Sequence, residues 1–247
     1  MGQTMVVVSG KGGTGKTTLT AAVGTALALG KKRVLCLDCD VGLRNLDIAL
    51  GLTDRAMLDF SDVIEGRCTL GEALVRHPRI PNLYLLTAPV YLRGERVTEE
   101  GMRQLVAEIA REFDYCLIDA PAGLGSGFRL ACAGAGRAIV VSTADATSLR
   151  DAQRAVQELH NFPRGSVHLA VNRVRRKLLR QLHRTIDDAM DTAGLPLIGV
   201  IPEDEEVSLA MNRGIPLLLA ENRCAAQAYR NIARRLSGQK VPLMKIP

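Results

Sequence analysis

The sequence predicts an α/β fold: a mostly parallel, twisted sheet with helices on both faces. Two observations predict it. Short β-branched or aliphatic runs recur along the whole chain, and stretches with helical spacing of apolar residues lie between them. Strands separated by helices pair in parallel through crossovers, so the sheet is buried on both sides. The first run, 5–9, is continuously apolar from Met5 to Val8, as a strand covered on both faces must be. Runs at 33–38 and 83–87 follow. A helical stripe of Val97, Met102, Leu105, Val106 and Ile109 then precedes the run at 115–119. Beyond the run at 138–143 and that at 167–172, Leu178, Leu182, Ile186 and Met190 recur at spacing four, which predicts one helix, and a last run covers 197–201. No repeat or Ser/Gly-rich linker interrupts the pattern, so residues 1–240 are expected to form one domain and 241–247 a loose tail. Ligands of such sheets bind at the carboxyl ends of the strands.

Composition narrows the class. The 247 residues carry 32 Lys+Arg against 26 Asp+Glu, 47% hydrophobic and 23% charged side chains, which excludes disorder and collagen-like structure. No apolar run approaches the roughly 20 residues that span a bilayer, and the N-terminus does not read as a signal peptide, so an intracellular protein is expected. The six cysteines are scattered and imply no disulfide framework. Cys36 and Cys39, three apart at the end of a strand, face opposite sides and are not expected to share a metal. A net charge of +6 fits anionic partners, while 3% aromatics without Trp argues against a base-stacking surface for nucleic acid.

Directly after the first strand stands Gly10-Lys11-Gly12-Gly13-Thr14-Gly15-Lys16-Thr17-Thr18. It satisfies G-x-x-x-x-G-K-[ST] in the strand-to-helix context that this phosphate loop requires. Gly12, Gly13 and Gly15 let the backbone turn close to a phosphate, and N–H groups from Thr14 to Thr18 point at the anion. Lys16 brings its charge to the β- and γ-phosphates of ATP, and the Thr17 hydroxyl is placed to ligate Mg²⁺.

Carboxylates converge on the same end of the sheet. Asp38, Asp40 and Asp47 lie within ten residues at the close of the second run, and acids in an anionic pocket call for a shared cation. Asp38 and Asp40 would share a face if the strand continued. One then suits Mg²⁺ through water and the other the attacking water; Asp40 is assigned the second task. Tyr115-Cys116-Leu117-Ile118-Asp119 ends a buried run in an acid, the pattern of a Walker B strand ordering the Mg²⁺ shell. In the following Pro121-Ala122-Gly123 turn, the Gly123 N–H is a candidate γ-phosphate sensor.

Lys11, ahead of the glycines, is not required by an ordinary phosphate loop. With it, residues 11–18 resemble the deviant Walker A motif of the MinD/ParA ATPases. The stretch from Asp40 to Gly51, the Asp119–Gly123 segment, Ser148-Leu149-Arg150-Asp151-Ala152, Val171-Asn172-Arg173, Gly199–Asp204 and Asn212–Pro216 are similar to the MinD side of that family, so that the resemblance runs from about Met5 to Leu236. It implies an ATP-dependent homodimer in which Lys11 reaches the partner's ATP, Asn172 and Arg173 flank the adenine, and the segment around Pro202 and Asp204 closes over the base. It further implies a role in placing the division septum. A division inhibitor and an ATPase-stimulating partner would dock near Ser148–Asp151, and the dimer would sit peripherally at the inner face of the cell membrane. Such relatives end in a lipid-inserting amphipathic helix, whereas Pro242 and Pro247 oppose a helix in residues 237–247. Val241, Leu243, Met244 and Ile246 beside Lys240 and Lys245 leave a weaker contact with acidic lipid open.

The basic run Arg173, Arg175, Arg176, Lys177, Arg180 and Arg184 invites nonspecific DNA binding, as in ParA-type partitioning proteins. Its preferred reading is the solvated face of a helix whose leucines face the core, with Asp187, Asp188 and Asp191 reducing the local field. A flagellar regulator with the same engine remains an alternative. An iron protein is disfavoured by the missing pair of cluster cysteines, and a tyrosine kinase by the single Tyr229 in the last hundred-odd residues.

Overall fold

The computed structural model describes residues 1–91, 97–181, 185–244 and 246. Its centre is an eight-stranded sheet. The strands are β1 (Gln3–Val8), β2 (Val34–Asp38), β3 (Val75–Arg76), β4 (Leu83–Leu86), β5 (Tyr115–Asp119), β6 (Arg137–Ser142), β7 (Val167–Val174) and β8 (Leu197–Pro202), in the spatial order β3-β4-β2-β5-β1-β6-β7-β8. All neighbours are parallel except β3 and β4. Each of the seven expected strands is present, and β3, a two-residue antiparallel edge piece, is the addition. Alternation across the sheet is visible in β1: Met5 and Val7 join the core on one face, Val6 and Val8 that on the other.

Helix α1 (Lys16–Leu29) is apolar nearly all round, because it lies between the sheet and α12 (Cys224–Leu236). On the opposite face pack α5 (Glu99–Glu112), α6 (Ser126–Cys132) and α7 (Ala146–Glu158). The short helices α2 (Leu46–Ala49), α3 (Phe60–Ile64) and α4 (Leu70–Ala73) join β2 to β3. The stripe read from Val97 begins as a helix only at Glu99. Thr98 caps it, its hydroxyl accepting from Gly101 N, and Val97 precedes the cap and joins the same apolar cluster as Met102.

Three expectations are corrected. The stripe Leu178–Met190 is not one helix but α8 (Arg176–Gln181) and α9 (Ile186–Ala193), because Thr185 and Asp188 form a capping box that starts a new helix. Nor do the leucines of α8 both face the core: the helix buries none of its residues, and Leu178 is 43% exposed. Among the described residues of the tail, four are also not loose. Arg235 donates through Nε to Val241 O, through Nη2 to Pro242 O and through Nη1 to Ile198 O of edge strand β8, while Met244 and Ile246 pack against core clusters. Leu182, Arg184, Lys245 and Pro247 lie outside the described residues. Among the described residues no helix is long and apolar enough to cross a membrane.

Candidate functional site

The glycine loop leaves β1 at its carboxyl end and turns into α1 through Gly13 (φ 78°) and Gly15 (φ 97°), both left-handed. At Gly15 a side chain is excluded twice over, since a Cβ would collide with Asn172 Nδ2. Gly15 is the N-cap of α1, and no side chain caps that helix; its first turn holds no acid. By contrast α3, α4, α5, α7, α9 and α10 (Glu205–Asn212) each have an Asp or Thr side chain bonded to their first N–H groups. The start of α1 therefore keeps free N–H groups and the positive end of its dipole for an anion.

Lys16 is buried at 7% exposure, and its Nζ donates to Ser9 Oγ at 3.0 Å. Burial lowers its pKa against the opposing pull of Asp119 and Asp40. Next to it, Asp38 and Asp119 end paired strands in register with each other, both fully buried. Burial, reinforced by the Asp38 charge, lifts Asp119 to about 8 despite a hydrogen bond from Thr17; burial lifts Asp38 to about 6. Two carboxyls so placed favour a cation. No group of three or more His, Cys, Asp or Glu side chains among the described residues is arranged to hold one alone. A carboxylate–hydroxyl set such as Asp119 and Thr17 suits Mg²⁺, which completes its octahedron with phosphate and water oxygens. Thr14 Oγ1, within the loop, is buried without a hydrogen-bond partner, a cost that a bound phosphate would remove. These residues fit a magnesium nucleotide.

Asp38 and Asp40 do not share a strand face, because β2 ends at Asp38 and the chain turns. Asp38 instead braces that turn, its two oxygens accepting from Asp40 N at 2.8 Å and Leu46 N at 3.2 Å. Asp40 stays half-buried beside Lys16; burial raises its pKa and the Lys16 charge opposes the rise. Across the loop, Gly12 approaches Ala122 of the 121–123 turn, where Gly123 has φ 86°. Lys11 is exposed and pairs with Asp145 at 3.9 Å; both side chains are more than two-fifths exposed, so the pair is weak. Thr18 faces a small crevice with Met211 and Ile215.

The residues expected around the base are gathered at the ends of β7 and β8. Asn172 is buried and doubly engaged: Nδ2 donates to Thr14 O at 2.8 Å and Oδ1 accepts from Arg173 N at 2.9 Å. Arg173 is exposed with φ 53°. Pro202 ends β8, and Asp204 caps α10 through Glu206 N while also accepting from Ala225 N. In the Ser148–Asp151 stretch, Ser148 and Leu149 point inward and Arg150 outward. Asp151 pairs with Arg154 at 3.7 Å.

The family model described as the CobQ/CobB/MinD/ParA nucleotide binding domain matches residues 5–217. The chain belongs to the MinD/ParA family. A curated relative, the septum site-determining protein MinD of Synechocystis sp., is 42% identical over 247 residues, covering 99% of this chain and 92% of the relative. Among solved structures, the MinC:MinD cell division protein complex of Aquifex aeolicus aligns with a TM-score of 0.90 at 39% identity, covering 99% of both chains. The septum site-determining protein MinD complexed with Mg-ADP from Pyrococcus horikoshii aligns at 0.83 and 28% identity, covering 96% of each. The phosphate loop and the acids at the carboxyl ends of β2 and β5 lie within the residues that the nucleotide binding domain matches.

Three contributors were missed from sequence. Ser9 holds Lys16, and Asp145 holds Lys11. Thr20 Oγ1 lies 3.1 Å from Lys16 O and 3.4 Å from Asp119 Oδ1. Only Thr20 had a legible signal, being one turn beyond Lys16 on the same helix face.

Proposed function

We propose that the chain is a Mg²⁺-dependent ATPase that places the division septum, monomeric with ADP and dimeric with ATP. The observation that carries this is the loop itself. One lysine is buried at an uncapped helix start, and a second is exposed on a weak ion pair, free to serve a neighbouring subunit.

Lys16 and the α1 N–H groups bind the phosphates, and Thr17, Asp119 and Asp38 would hold Mg²⁺. The metal supplies charge neutralisation on the transferring phosphoryl group. Asp40, half-buried and beside Lys16, orients the attacking water. Lys11 exchanges Asp145 for the partner's triphosphate, offsetting the negative charge that two facing nucleotides bury. Because phosphoryl transfer depends on positioning and electrostatics, a site completed by a second subunit turns over slowly until assembled. Hydrolysis then times the switch.

The outward side of Ser148–Asp151, with Arg150, is the proposed docking face for the division inhibitor and for the stimulating partner. At the inner membrane face, Val241, Pro242, Met244 and Ile246 would have to leave their contacts with Arg235 and the core before touching acidic lipid.

Size exclusion with ADP and with ATP, repeated with anionic vesicles, tests the reading. The expected result is a monomer with ADP, a dimer with ATP, and a vesicle-bound fraction with ATP alone. A single monomeric species with either nucleotide overturns it and favours an ordinary phosphotransferase.

A further inference from the structure

Ser9 follows the last residue of β1, is fully buried, and makes two bonds that assign its hydroxyl a direction. It donates its single proton to Lys11 O at 2.6 Å, so only its lone pairs remain, and Lys16 Nζ donates into them at 3.0 Å. We propose that Ser9 is a positioning residue for Lys16, holding the ammonium in the phosphate cradle and away from the carboxylates of the metal side. The inference rests on the nucleotide site proposed above.

The competition is between a neutral acceptor and two acids. Asp119 and Asp40 both attract Lys16. An ammonium that settled on either acid would be ion-paired, would withdraw charge from the phosphates, and would occupy a carboxylate needed by the cation (Asp119) or by the attacking water (Asp40). The serine hydroxyl stabilises the ammonium in place without cancelling its charge. Fixing its proton on Lys11 O makes the same side chain set the backbone from which Lys11 departs. An alanine at position 9 leaves the buried ammonium without this acceptor.

Calorimetric titration of MgADP into the full chain, with ATPase kinetics and the melting of each nucleotide-free protein, tests this. Ser9→Ala should weaken MgADP binding by about tenfold, the scale of one charge-assisted hydrogen bond, and raise KM for ATP by about as much, with a smaller fall in kcat. Ser9→Thr, which keeps the hydroxyl, should restore binding. A purely structural serine would lower the melting temperature and leave the affinity of the folded protein unchanged. Parental affinity in folded Ser9→Ala overturns the proposal, as does a folded Ser9→Thr no better than Ser9→Ala. If Ser9→Thr melts early, the alanine variant decides alone. Failure of the parent chain to bind any nucleotide would instead remove the nucleotide site itself, an outcome distinct from a loss confined to the Ser9 variants.

Discussion

Gly15→Ala tests whether the phosphate loop is held from β7 through Asn172. Gly15 has φ 97°, and its missing Cβ makes room for Asn172 Nδ2, which donates to Thr14 O at 2.8 Å inside the protein. Placing alanine in the left-handed region costs about 1–2 kcal/mol. Expelling the amide breaks its bond and leaves the buried Thr14 carbonyl unpaired, which costs about 1–3 kcal/mol more. Asn172→Ala alone breaks the same bond and should cost about 1–3 kcal/mol. In Gly15→Ala/Asn172→Ala the collision is gone and the bond is lost once only. The double variant should therefore be more stable than additivity allows, by about 1–3 kcal/mol. Urea unfolding of the four nucleotide-free proteins measures the coupling. Additive losses within about 0.5 kcal/mol would refute the brace, since independent sites add to that accuracy.

Three further outcomes follow from the site and its surroundings. Burial holds the folded-state pKa of Asp119 up at about 8. The folded chain therefore binds the proton more tightly than the unfolded chain, and stability falls as pH rises from the ordinary carboxylate range toward that value. Asp119→Asn should flatten this slope in nucleotide-free unfolding curves and raise stability at alkaline pH while hydrolysis is lost; an unchanged slope would contradict the assignment. Asp40→Ala should still bind ATP and accumulate as a dimer in size exclusion, because binding and assembly precede water attack; a monomer with ATP would contradict its role. His77 Nδ1 accepts from Arg79 N at 3.1 Å and Ile80 N at 3.0 Å, and burial lowers its pKa. Its stabilisation is present above the unfolded value near 6.5 and lost as pH falls through the lower folded value. His77→Asn should reduce the acid-side loss of stability in denaturation curves, leaving the share of His168, which is also lowered.

The phosphate loop and the acids at the ends of the second and fourth expected strands were legible because each is a contiguous segment. Glycines, lysines and a hydroxyl at fixed spacing have few other uses after a buried strand. The reading of Asp38 and Asp40 as same-face neighbours failed because it extended the strand alternation past Asp38, where the Asp38 carboxylate itself bends the chain by accepting from Asp40 N. Likewise spacing four from Leu178 to Met190 satisfied a single helix, but Thr185 and Asp188 supply a new start within it. A capping box outweighs a continuous stripe there, because α8 buries none of its residues and touches the core only through the partly buried Leu179, so its continuation is little rewarded.

Periodicity and local motif chemistry, both short-range properties, determined the alternating α/β class, seven of the eight described strands, and the glycine turn and acids from which the magnesium-nucleotide site is proposed. Tertiary structure alone decided which distant groups complete that turn. Asn172 reaches the Thr14 carbonyl, Asp145 takes Lys11, and Arg235 ties residues 241 and 242 to edge strand β8. These partners meet because β6 pairs with β1 and β7 with β6 in the sheet, and because α12 packs against β8. Strand order is a property of the whole packed chain, so a contact between residues 158 apart leaves no trace in the neighbours of either one.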